Sequence, residues 1–489
     1  MRKSGVLLSI SSLPGKYGIG CFSKEAYEFV DYLKKAKQSY WQILPMGPTS
    51  YGDSPYQSFS AFAGNPYFID PDGLKEDGLL TEEECKKYVV KDTKEVDYEL
   101  IFNTRYELLK KAFERFDLSD EDFKKFVKKE EFWLKDFALF MTLKSEMGGV
   151  EYQKWPDDIR EHKNKAVKEA YEKGENGIKF TYFMQYYFFK QWASLKAYAN
   201  SKGIEIVGDI PIYVASDSAD VWANPKLFDL DEDYNPKAVA GCPPDCFSIE
   251  GQLWGNPLYD WEYHKKTGYK WWIQRMKASY RLYDVVRIDH FRGFESYYTI
   301  PYGAVNAVEG EWLKGPGYDL FKAINSELGD VKVIAEDLGF MTKAVKKLVK
   351  KCGYPGMKVL EFAFDSGAGN TYLPHNYKKN FVVYTGTHDN ETVVGWVQNM
   401  DEDTKKYMMS YMNIDNLDEI HWDYIRLAES SVAKIAIIPM QDILGLDNSA
   451  RMNTPSTIGI NWKWRLQSDE LKAEDAKKLK KICKTYGRK

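Results

Sequence analysis

Three short segments each set a carboxylate directly after an apolar run: Arg287-Ile288-Asp289-His290-Phe291-Arg292-Gly293, Ala335-Glu336-Asp337-Leu338-Gly339 and Thr387-His388-Asp389-Asn390. If these runs are strands that end at one rim, their acids converge on one bond. Retaining glycoside chemistry uses two carboxyl groups about 5–5.5 Å apart; one attacks the anomeric carbon and the other protonates the departing oxygen. Neighbouring strands lie about 4.8 Å apart, so acids at the ends of adjacent strands meet that need. Asp289 reads as the nucleophile, kept ionised by Arg287 two residues earlier on the same face. Glu336 reads as the general acid/base, its pKa raised by burial and by nearby carboxylates. Asp389 would stabilise the oxocarbenium-like state or grip sugar hydroxyls, with His388 beside it as a donor. Asp209, after a further apolar run, points to the same rim. Singly, these motifs also fit a salt bridge, a helix cap or a hydrogen-bonded turn. Together, Asp289, His290, Glu336, His388 and Asp389 also fit a divalent-ion site. The joint pattern favours the sugar reading.

Positioning these acids requires eight strands. Apolar runs ending in polar or turn residues occur at Val6–Ile10, Tyr40–Leu44, Ile204–Asp209, Val285–Asp289, Val331–Glu336, Met357–Phe362, Phe381–Thr385 and Lys434–Pro439. Near-continuous burial of this kind belongs to parallel strands covered on both faces. Helical spacing separates most of them, as in Phe22–Lys37, Phe180–Ser201, Tyr269–Tyr283, Tyr318–Leu328, Thr342–Cys352 and Glu419–Val432, and Asp469–Tyr486 closes the chain. Strand–helix alternation eight times over predicts an α/β fold, a (β/α)8 TIM barrel. The sixth helix is the exception, with Leu373–Tyr377 at best one turn. Two spacings exceed a simple crossover. Residues 46–179 predict a helical insertion after strand 2, with helices at Glu82–Tyr88, Asn103–Phe116, Asp120–Lys129 and Lys135–Ser145. Residues 211–268, rich in Pro, Gly, Asp and Trp, predict an insertion or cover loop after strand 3. Both would wall the cleft of a single catalytic domain spanning 1–489.

Composition limits the partners. The net charge of −4 gives no concentrated basic surface for nucleic acid. No apolar run approaches the roughly 18 residues of a membrane span. The six cysteines form no legible disulfide framework, which fits a reducing cytoplasm. Cys242 and Cys246 lack a second Cys/His pair at zinc spacing, so no metal site is expected there. Aromatics at 15% suit the apolar faces of sugar rings.

Several long segments are more specific: Ser11-Ser12-Leu13-Pro14, Gly52-Asp53-Ser54-Pro55-Tyr56-Gln57-Ser58-Phe59-Ser60-Ala61, Gly208-Asp209-Ile210-Pro211-Ile212, Gly241–Phe247, Gly251-Gln252-Leu253-Trp254-Gly255-Asn256-Pro257, and Arg451-Met452-Asn453 with Asn461-Trp462. With the acid motifs, and over essentially its whole length, the chain resembles the 4-α-glucanotransferases known as amylomaltases or disproportionating enzymes. The resemblance implies retaining transfer of α-1,4-glucan segments between malto-oligosaccharides or amylose, with glucose as an acceptor. It implies catalytic roles for Asp289, Glu336 and Asp389, and sugar contacts from Ser54, Tyr56, Asp209, Trp254, Arg287, His388 and Asn461. It places Tyr51 at an accessory glucan groove and makes Pro243–Trp254 a mobile loop over the cleft. No metal or organic cofactor is implied. Ser456 stands where the family usually has glycine, and Cys246 where it commonly has tyrosine; both bear on chain-length preference. An α-1,4-glucan hydrolase using the same carboxylates is the alternative, because no rule from sequence separates transfer from hydrolysis. A monomer or small homo-oligomer is expected.

Overall fold

The computed structural model describes every residue except Met1, Tyr51, Lys91, Asp92 and Asp245–Phe247. Expectations for Tyr51, Cys246 and Phe247 therefore lie outside the described residues. All eight apolar runs form strands: β1 Lys3–Leu7, β2 Tyr40–Gln42, β3 Glu205–Ile210, β4 Val285–Ile288, β5 Val333–Ala335, β6 Gly356–Val359, β7 Phe381–Tyr384 and β8 Ile435–Pro439. They pair in parallel in the order β6-β7-β8-β1-β2-β3-β4-β5. The two ends meet: the Ala335 N–H donates to the Pro355 carbonyl at 2.9 Å. Just beyond, the Asp337 carboxylate accepts the Met357 N–H at 2.6 Å. The seam needs Gly356, because a Cβ there would lie 2.3 Å from an Asp337 oxygen. The sheet is thus a closed (β/α)8 barrel.

Helices cover the barrel as amphipathic patterning requires. In Lys343–Cys352 the Thr342 side chain caps the Val345 N–H, Val345, Leu348 and Val349 are buried, and Gly353 ends the helix at φ 74°. Among the described residues the connection from β6 to β7 holds two 3-10 turns, Leu360–Phe362 and Pro374–Asn376, and no α-helix, as its weak pattern suggested. β1 starts at Lys3, not Val6. The apolar run outlasts the strand because Leu8 and Ile10 are buried beyond it.

Between β2 and β3 lies a helical excursion. The two helices expected within 120–145 are one, Glu121–Glu146. No Gly or Pro interrupts residues 130–134, and Glu130 is not a surface charge. It is buried, accepting from the Trp133 indole at 2.9 Å and pairing with Arg281. This helix packs on Glu175–Ser201 through Phe126, Trp133 and Phe189. A four-stranded antiparallel sheet, in the order Gln252–Pro257, Ala238–Cys242, Ser296–Pro301 and Glu311–Lys314, was not foreseen. Its last two strands follow β4, so a third excursion joins the one after β3.

Candidate active site

Barrel register places the acids. β4 pairs with β5 through Arg287↔Ile334 and Ile288↔Ala335, which makes Asp289 and Glu336 the next residues in step. The Glu336 N–H continues the ladder, donating to the Ile288 carbonyl at 3.1 Å. In parallel strands, residues in register project to the same side, so both carboxyls leave the rim side by side. On the other flank, β3 pairs with β4 through Asp209↔Arg287.

Arg287 is buried at the centre. One nitrogen, Nη1, bonds Asp209 at 2.6 Å and Asp289 at 3.1 Å. Asp209 also accepts from the Tyr56 hydroxyl at 2.9 Å, while its Oδ1 has no protein partner. Glu336 is held by two backbone donors, His290 N–H at 2.8 Å and Leu338 N–H at 2.7 Å. His290 reaches this position in a left-handed conformation, φ 50°. Its ring stands edge-on to Trp254 at 4.8 Å, and burial holds it neutral, lowering its pKa to about 3.

The electrostatics differ from the simple expectation for Asp289. Burial pushes its carboxyl up to about 8; Arg287 pulls it down, but Asp209, Glu336 and Asp389 oppose that pull. Burial also raises Glu336, against Arg287 and its two backbone donors. Two acids this close titrate as one system that retains a proton into the neutral range. Arg287 bonds Asp289 and not Glu336, which favours the proton on Glu336.

Asp389 lies across the mouth, after β7. Asn453 donates to its carboxylate at 2.6 Å, His388 Nε2 lies 3.3 Å away, and Arg451 holds the Asp389 carbonyl at 2.7 Å. The His388 ring stacks on Tyr56 at 5.2 Å, with Trp462 against both. Asp289, Glu336, Asp209, Arg287, Tyr56, His388, Asp389 and Trp254 thus share one network. Two other expected sugar contacts are engaged locally. Ser54 accepts the Tyr56 N–H at 3.3 Å. The Asn461 amide takes the Thr454 N–H and donates to Thr457, fixing the turn that contains Ser456. Ser456 has φ 64°, the left-handed region that favours glycine.

Sequence reasoning assigned no role to Asn453, nor to Gln57 and Asn256. Gln57 donates to the Asn256 side chain at 3.1 Å and to the Trp254 carbonyl at 3.3 Å, stitching the two cleft walls together. The quoted segments contain all three residues, but no local pattern marks contacts so distant in sequence. Among the described residues, no group of three or more His, Cys, Asp or Glu side chains is arranged to hold a metal ion.

Known proteins resemble this chain throughout. The family model described as 4-alpha-glucanotransferase matches residues 8–471. A 4-alpha-glucanotransferase of Clostridium butyricum is 50% identical over 98% of this chain and 100% of its own. One of Thermus thermophilus is 46% identical over 100% and 99%. Among solved structures, an amylomaltase from Streptococcus agalactiae in complex with acarbose superposes with TM-score 0.97, at 43% identity, over 100% of both chains.

Proposed function

This chain belongs to the 4-alpha-glucanotransferase family and is an enzyme that transfers α-1,4-glucan segments; we propose that it does so by double displacement through a glycosyl ester on Asp289. The observation that carries this reading is the register pairing of Asp289 with Glu336, one step beyond Ile288↔Ala335. Strand spacing of about 4.8 Å sets such carboxyls near the roughly 5–5.5 Å that retention uses.

Asp289, freed of its proton and bonded to Arg287, attacks the anomeric carbon. Glu336 donates its proton to the departing glycosidic oxygen, and the shortened glucan leaves. Glu336, now a carboxylate, takes the proton from the 4-hydroxyl of an acceptor, whose oxygen displaces Asp289. Two inversions give net retention, and Glu336 ends protonated. Asp389, fixed by Asn453 and flanked by His388, faces the positive charge that develops on the sugar ring. Tyr56, Asp209, Trp254 and His388 line the donor and acceptor path, and Ser54 and Asn461 hold the loops around it. Malto-oligosaccharides, amylose and glucose are the substrates we assign; the acarbose complex of the streptococcal relative supports this class. The side chains assigned above carry every step of this scheme, and we assign it no metal or organic cofactor. Cys21, Cys85, Cys352 and Cys483 are free thiols, which suits a reducing cytoplasm, and no helix among the described residues is long and apolar enough to cross a membrane.

Incubation with maltotriose tests the reading. A ladder of longer glucans accompanied by glucose is expected; shortening alone would instead establish the hydrolase.

A further inference from the structure

We propose that Trp312 and Phe340 form an aromatic platform on the acceptor side of the cleft, where a glucan chain longer than the units next to the acids lies. The proposal rests on the transfer reading and extends its binding surface.

Strand Glu311–Lys314 is the outer edge of the four-stranded sheet, and all its residues are exposed. Edge strands normally carry charges or kinks that discourage association. This one holds Glu311 and Lys314 at its ends but Trp312 and Leu313 between them, 38% and 39% exposed. Trp312 is also held rigidly. Its partner in register is Tyr298, whose ring packs at 5.3 Å, and the Arg292 guanidinium sits 3.8 Å over its ring. That guanidinium then donates to the Phe340 carbonyl at 2.5 Å. Phe340 is 77% exposed. One buried arginine therefore stacks on the Trp312 ring and holds the Phe340 main chain, tying two exposed aromatic residues to a single side chain.

Both are continuous with the catalytic loops. Arg292 lies three residues after Asp289, and Phe340 four after Glu336. Four residues reach at most about 14 Å, a distance of a few sugar units. Glu336 protonates the departing oxygen, so the rim beyond it faces the leaving chain and the incoming acceptor. A pyranose presents an apolar face and a hydroxyl edge, which suits a pre-ordered aromatic ring flanked by charges. Glucose occupies only the unit next to the acids, whereas an acceptor of five units extends beyond it along the rim.

The test uses maltotriose as donor and two labelled acceptors, glucose and maltopentaose. The ratio of their kcat/KM values is read in Phe340→Ala and Trp312→Leu. The maltopentaose-to-glucose ratio is expected to fall about three- to tenfold in each, the range of one aromatic stacking contact, mainly through KM for maltopentaose. An unchanged ratio in both variants overturns the platform. So does an equal loss with both acceptors in proteins of unaltered Tm, which assigns the residues to general support of the site. A parent protein that builds no ladder from maltotriose defeats the transfer reading itself, a result distinct from either of these.

Discussion

Replacing Asp289 with Asn should abolish transfer and stabilise the fold, and the stabilisation should grow with pH. The native Asp289 carboxyl is pushed up to about 8, whereas its ordinary value is 3.8. Between those values the folded Asp289–Glu336 pair holds one proton, chiefly on Glu336, that the unfolded chain releases. Stability is therefore intact below about pH 4 and falls as pH rises through 8. The whole shift corresponds to roughly 5–6 kcal/mol at about 1.36 kcal/mol per unit. That is a ceiling, because the side chain is 29% exposed and Arg287 bonds it directly; screening reduces it to about 2 kcal/mol. The amide keeps the shape and removes the charge. An unfolding entropy of about 2.1 cal/mol/K per residue makes 2 kcal/mol worth about 2 °C in a chain of this length. Differential scanning calorimetry at pH 5 and pH 9 should show the variant gaining about 2 °C at pH 9 and almost nothing at pH 5. A gain equal at both pH values would mean packing is responsible. A loss at pH 9 would show that the carboxylate is not held there at a cost. Residual transfer above about 1% of the parent rate would remove Asp289 from the nucleophile's role.

Other outcomes follow from the same contacts. Arg287→Met leaves Asp209 buried without its counter-charge and should cost about 3–5 kcal/mol, read by urea unfolding; full stability would show that Tyr56 suffices to hold Asp209. Asn453→Ala removes the donor to Asp389 and should lower kcat about 10- to 100-fold while Tm moves by less than about 1 °C; unaltered kcat refutes the orienting role. The kcat/KM profile of the parent should decline above about pH 8 as the Asp289–Glu336 pair loses its proton, so activity rising steadily to pH 10 contradicts the acid. Gly356→Ala drives a methyl into Asp337 at the β5–β6 seam and should destabilise by about 1–3 kcal/mol, with activity falling at least as much as for a comparable lesion on β8.

The strands were legible because parallel strands buried on both faces need apolar runs such as Val285-Val286 and Ile435-Ala436-Ile437-Ile438. The acids were legible because each run ends in one, and register does the rest. The limits are equally physical. Glu130 reads as a surface charge, yet it is buried against Trp133 and Arg281, a pairing of residues 151 apart. The four-stranded sheet escaped notice because Ala238–Cys242 contains Gly, Gln252–Pro257 contains Gly and Pro, and beyond pairing with each other the sheet is extended only by Ser296–Pro301, after β4. Arg287 was expected to keep Asp289 ionised; its contact is present, but burial, helped by Asp209, Glu336 and Asp389, outweighs it. That sum depends on three distant segments and cannot be read from two adjacent residues.

The stave joint between β5 and β6 is the thinnest in the barrel, one main-chain bond reinforced by the Asp337 side chain. It lies directly behind the proton donor. A cask leaks first where its staves meet least firmly, and here thermal breathing would tilt Glu336 before it disturbed Asp289, seated between two fully laddered neighbours. Heat would thus blunt the proton-transfer half of the machinery while the nucleophile stayed aligned.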